Sequence, residues 1–222
     1  MAPQVAQGQD DAPAGALLAL IAADGVAAHP YLGDEAAFAG PDGARNLADF
    51  VHYLCILHCG HPGLIDHAEE ITACPASQAW LAAVAPAFTA ERLYIARLAV
   101  AVGPVPSTPG SAESEAAVGA QCHALETLAR SERRGCSLGA AVALVLDWRA
   151  FRRVLDQAAE RFGVEVPPCG LPDAQAIAAV VDEVADAPSV RRALGFGASQ
   201  VLVQHRGLLD LLDARRGARR DS

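Results

Sequence analysis

The chain has 222 residues, a formal charge of -9, and 52% hydrophobic against 19% charged residues. That balance excludes a disordered chain, which buries too little apolar surface to offset its ordering. The acidic excess argues against general nucleic-acid binding, which needs a basic footprint.

The length suits one large domain, and a domain of this size buries roughly 70% of the surface its unfolded chain exposes, so it needs no disulfides. Alanine is abundant and aromatics are only 5%. Ala has the highest helix propensity, and its small side chain allows close helix packing. Every basic residue is Arg; without Lys, Schiff-base and P-loop chemistry are removed. Six cysteines, Cys55, Cys59, Cys74, Cys122, Cys136 and Cys169, read as reduced thiols. The start has no basic stretch followed by an apolar one, as a signal peptide would. The longest apolar run, 138–146, falls short of the roughly 18 residues of a membrane span. The expectation is a soluble, cytoplasmic, all-α protein with no membrane association.

Residues 1–12 are polar and read as a disordered segment before a single domain over 13–222. A helix is expected over 13–28, ended by Gly25 and His29-Pro30, because a residue before Pro avoids the α region. Residues 30–43 read as a loop with a short turn at 34–38. The periodicity predicts a helix over 44–59, stopped by Gly60. Pro62 suits the first turn of the next helix, to about 73. Pro75 opens another, in which Pro86 predicts a kink or break. Its second half, 87–102, is amphipathic. The longest clear loop is 103–110 (GPVPSTPG). Ser111 is expected to cap a helix to about 132, and Ser137 one to 162. After a loop at 163–171, helices follow at 172–186 and 188–214. The sum is a compact antiparallel helix bundle of about eight helices. Gly195-Phe196-Gly197 reads as a point of close helix contact. Arg215, Arg216, Arg219 and Arg220 read as favourable charge at a helix C-terminus.

Polar groups fall on otherwise apolar helix faces. A helix turns about 100° per residue, which places His58 in the stripe of Leu47, Phe50, Val51, Leu54 and Leu57. Glu91 falls among Phe88, Tyr94, Ile95 and Leu98. His205 falls among Val190, Leu194, Val201, Leu208 and Leu212. Gln121 shares a face with Val118, Leu125 and Leu128, and Asp147 sits at the margin of Leu144, Trp148, Phe151 and Leu155. A buried carboxylate or imidazole is costly unless paired or bound to metal. Two His and a carboxylate are the facial-triad ligand set. One reading therefore makes His58, Glu91 and His205 ligands of a divalent metal such as iron, with Asp147 and Gln121 as a further ligand or supporting shell. A second makes them an organic-ligand pocket with Glu91 and a His as acid–base pair. A third makes them a core hydrogen-bond network.

Cys55, His58, Cys59 and His61, with His67 and Cys74 downstream, offer zinc donors, but at no zinc-finger spacing. Asp49 with His52, and His123 with Glu126, read as surface pairs. His29 and His61 lie beside prolines at helix ends and need no special role.

The stretches NLADFVHYLCILHCGHPGLIDHAEE (46–70), GPVPSTPGSAESEAAV (103–118) and RRGCSLGAAVALVLDWRAFRRVLD (133–156) resemble an uncharacterised bacterial, proteobacterial family of small helical proteins of unknown function. The resemblance covers most of the chain after about residue 40 and implies no activity and no site residues. In architecture alone the bundle is similar to heme-oxygenase-like and ferritin-like folds, without their ligand motifs. The expected function is a helical bundle with a buried metal or small-ligand site. The alternative is a non-enzymatic interaction or regulatory protein, told apart by an exposed apolar patch on one helix pair.

Overall fold

The computed structural model describes residues 12–220; the segment expected to be disordered lies, apart from Ala12, outside them. Among the described residues there are ten α-helices, eight of them longer than one or two turns, and no strand. They are α1 (Pro13–Asp24), α2 (Pro30–Gly33), α3 (Glu35–Ala39), α4 (Gly43–His58), α5 (Leu64–Ile71), α6 (Pro75–Ala101), α7 (Ser111–Ala129), α8 (Cys136–Phe162), α9 (Ala174–Val184) and α10 (Pro188–Arg220). None of them is long and apolar enough to cross a membrane.

Helix α8 is the axis. From Cys136 to Val145 every residue is buried, and it touches α1, α4, α5, α6, α7 and α10. Apolar residues all round a helix leave it no solvent face, so neighbours must surround it. Its many Ala residues let them come close. The tightest approach is to α10. A Cβ on Gly197 would collide with the carbonyl oxygen of Cys136, and one on Gly139 with that of Leu194. The Gly195-Phe196-Gly197 expectation is met at Gly197, while Gly195 has open space.

The direction of each helix follows from its partners. Val190 and Leu194 lie against Gly135, and His205 lies against Asp147 and Phe151, so α10 runs parallel to α8. Phe88 meets Trp148 and Tyr94 meets Asp156, so α6 runs the same way. Helix α4 runs against them: Phe50 meets Phe151 and His58 meets Trp148. The N-terminal ends of α6, α8 and α10 therefore share one end of the bundle.

Several local expectations are corrected. The first helix ends at Asp24, and a 3-10 turn covers Val26–Ala28. The 30–43 loop contains α2 and α3, capped by His29 and Asp34 side chains. Helix α6 runs through Pro86 without a break. The carbonyl that Pro86 leaves unbonded belongs to Ala82, an exposed residue, so the lost bond falls on the solvent side of the helix. Neither Ser111 nor Ser137 is the cap. Gly110 and Gly135 hold those positions at φ 77° and 93°, a left-handed geometry that Gly adopts without a Cβ penalty.

Helix α10 extends to Arg220 rather than stopping near 214. Its Arg residues do more than face a helix end. Arg215 is buried and grips Asp49 with two bonds, Nε to Oδ2 at 3.1 Å and Nη2 to Oδ1 at 3.0 Å. Arg219 also donates to Asp49, and to Asn46. The long-range carboxylate makes the last turns worth ordering. Asp49 is thus a core residue and not half of a surface pair with His52, which bonds the carbonyl of Gly103 instead. His123 and Glu126 are exposed, as expected.

Candidate functional site

Three polar side chains from three helices meet in the core. His205 of α10 is fully buried, and its Nδ1 lies 2.8 Å from Oδ2 of Asp147 on α8. Its Nε2 lies 3.0 Å from Nε2 of His58 on α4. The other oxygen of Asp147 accepts the backbone N–H of Val26 at 3.1 Å. Gly25 makes that approach possible, since a Cβ there would sit 2.6 Å from Oδ1. Phe88, Trp148 and Phe151 pack edge-on around the two imidazoles. The Asp147–His205–His58 row is therefore held by aromatic packing around both imidazoles.

The row has a direction. Asp147 accepts a hydrogen bond from His205 Nδ1–H, and His205 Nε2 then faces His58 as an acceptor. His58 must then donate through Nε2, which leaves its Nδ1 a lone pair. That nitrogen has no partner among the described residues. Burial above all pushes His58 well below the usual imidazole value, so it stays neutral. His58 lines a small cavity of about 60 Å³ with Leu57, Phe88, Cys122, Leu125 and Leu144, space for on the order of a few waters.

Glu91 does not join this row. Its two oxygens are taken by Arg152 Nη1 at 2.7 Å and Trp148 Nε1 at 2.9 Å. Arg152 also donates to Asp156 at 2.6 Å, which accepts the hydroxyl of Tyr94 at 2.9 Å. The acid–base pairing of Glu91 with a His is corrected accordingly: the carboxylate that meets a His is Asp147. Gln121 is half-buried and lies over Gly207, with Oε1 unbonded among the described residues, and it makes no bond to the row. Among the described residues no group of three or more His, Cys, Asp or Glu is gathered as a metal ion would need. The set His58, Glu91 and His205 is split because Arg152 claims the carboxylate. The Cys55–Cys74 donors are likewise not assembled, and all six cysteines are unpaired thiols.

The sequence missed the ion-paired arginines. Arg152 and Arg215 are both buried, and the only signal for Arg152 was its place four residues after Trp148 on an apolar face. His29 also has a role: its Nδ1 caps α2 at Tyr31 N, and its Nε2 meets Asp210.

A family profile matches residues 21–220. The chain belongs to DUF6975, a family of unknown function. The DUF6975 match spans His58, Asp147 and His205 together. No curated protein and no solved structure matches the chain.

Proposed function

We propose that this DUF6975 protein binds a small ligand in its core, at the His58 end of the Asp147–His205–His58 row. The observation that carries this reading is the unpartnered Nδ1 of a neutral His58 beside a cavity. No described residue donates to that nitrogen, so a donor from outside completes the site. The carboxylate behind His205 orients its Nδ1–H, which favours His205 Nε2 as the acceptor for His58 and leaves His58 Nδ1 to accept a hydrogen bond. A hydroxyl, amide or water proton is the matching chemistry. Two imidazole nitrogens backed by a carboxylate also begin a metal site, but a third donor would have to come from the ligand.

The test is imidazole ¹⁵N NMR on wild type and His58→Gln, titrated with small alcohols and amides, with metal analysis of the purified protein. The expected result is an unprotonated Nδ1 at His58 that responds to the added donors. A proton on that nitrogen would overturn the reading, because the row would then run the other way. Near-stoichiometric metal lost in a His58→Ala, His205→Ala variant would replace it with the metal reading.

The interaction reading rests on a groove of about 410 Å³ between α7 and α10, lined by Leu125, Leu128 and Phe196 among others. Phe196 is 46% exposed and Val203, seven residues on, is 58% exposed. Sedimentation of wild type and Phe196→Ser tests it: association lost in the variant supports an interface there.

A further inference from the structure

At the end of the bundle shared by the parallel helices lies a cleft of about 780 Å³, far from His58. We propose that it is a binding site for an organic anion with a phosphate-class headgroup and an apolar body. Its volume falls in the range that holds a drug-sized ligand.

The headgroup is argued from charge. The starts of α6 and α8 both line the cleft, and each is a 27-residue helix with no acidic residue in its first turn. A helix N-terminus carries partial positive charge and unbonded N–H groups, and here nothing in the first turn offsets either. Arg130, Arg133 and Arg134 stand on the same wall, against Glu132 of the lining and the Asp186 that pairs with Arg134. On a chain with a net charge of -9, this is a local inversion of sign. Arg130 is steadied by His67 at 3.3 Å, Arg134 by Asp186 at 3.1 Å, and Arg133 stacks over Phe196. Each is positioned without being neutralised by a buried partner.

An independent observation points to a ligand. Ser137, in the first turn of α8, is 5% exposed and lines the cleft. Its hydroxyl makes no hydrogen bond to another described residue. The hydroxyl is free to donate, and an anion seated on the helix start would accept its proton. The apolar body is matched by Ile71, Pro75, Leu138 and Val184 on the remaining walls.

Cys74 supplies a reporter. It is the residue before α6 and lines the cleft. No side-chain cap bond closes there, so the amides act on the sulfur as dipoles. The N–H of Ser77 first, then its hydroxyl, the N–H of Ala76 and the charge of Arg134, hold the thiol below its ordinary value against the effect of burial. The thiolate attacks iodoacetamide at its CH₂, forming a C–S bond as iodide leaves. A bound anion should block that attack.

The experiment is calorimetric titration of the full chain with phenyl phosphate, and with benzyl alcohol as the neutral body. Cys74 alkylation is read in parallel by peptide mass mapping. Saturable binding of phenyl phosphate is expected. Arg134→Ala should weaken it about tenfold or more, as loss of a charge-assisted bond does, and Ser137→Ala by roughly two- to tenfold. Bound phenyl phosphate should slow alkylation of Cys74 and leave exposed Cys169 unchanged. His58→Gln should bind it like wild type, which separates this site from the core one. Three results would overturn the proposal: no saturation up to about 10 mM, a weaker interaction than any specific site of this class; equal binding of benzyl alcohol; or affinity unmoved in both cleft variants.

Discussion

Replacing His205 with leucine removes the middle of the buried row while keeping an apolar side chain of useful volume. Asp147, 3% exposed, would retain only the N–H of Val26, and the Nε2 proton of His58 would lose its acceptor. Breaking a buried pair by removing one partner costs about 3–5 kcal/mol, because a charge is left uncompensated. A domain of this size loses about 2–4 °C of Tm per kcal/mol, so a fall of roughly 6–20 °C is expected. Asp147→Leu alone orphans two donors, His205 Nδ1–H and Val26 N–H, at about 1–3 kcal/mol each. The double variant removes the pair together and should cost less than the sum by about 2–3 kcal/mol, the upper range for groups in one network. Urea melts of the four proteins give the cycle. Additivity within about 0.5 kcal/mol, the behaviour of independent sites, would refute the row as an energetic unit.

Stability should fall as pH drops below about 6.5, the ordinary His value. There the unfolded chain protonates His58 while the native chain keeps it neutral, so unfolding takes up a proton and the loss approaches about 1.4 kcal/mol per pH unit. Above that pH the contribution is fully present. Urea melts from pH 5 to 8 should show a shallower slope for His58→Gln, and an unchanged slope would assign the effect elsewhere. Gly25→Ala should destabilise by about 1–3 kcal/mol through overpacking, since its Cβ would press on Asp147 Oδ1; a thermal melt within error of wild type would contradict the contact. Asp49→Ala should cost about 3–5 kcal/mol by stranding buried Arg215, and a melt like that of a surface variant would show the α10 end to be loose.

The sequence carried the helices well where punctuation was strong. Gly60 and the 103–110 segment mark their boundaries within a residue or two of the structure. Where two residue types compete for one role, it carried them less well. Ser137 has cap chemistry, yet Gly135 reaches the left-handed geometry first and Ser137 becomes a buried residue of the first turn. Helical periodicity also showed that His58, Glu91, Asp147 and His205 point inward. It gives an angle around each axis but no height across the bundle, so it left open which carboxylate meets which His. The answer depended on Arg152 taking Glu91, a pairing 61 residues apart in sequence. Asp49 fell outside the expected core for the same reason, its partner Arg215 being 166 residues away.

The contact of α8 with α10 at Gly139 and Gly197 has a bearing on the family's history. Asp147 lies eight residues beyond the first glycine and His205 eight beyond the second, about 12 Å along each parallel helix. The glycines thus act as an index mark that sets the spacing of the acid and the base from a distance. A lineage that enlarges either glycine would spread the helices and lose the reason to keep the pair. Across DUF6975, small residues at 139 and 197 should therefore be inherited jointly with Asp147 and His205, and be lost jointly as well.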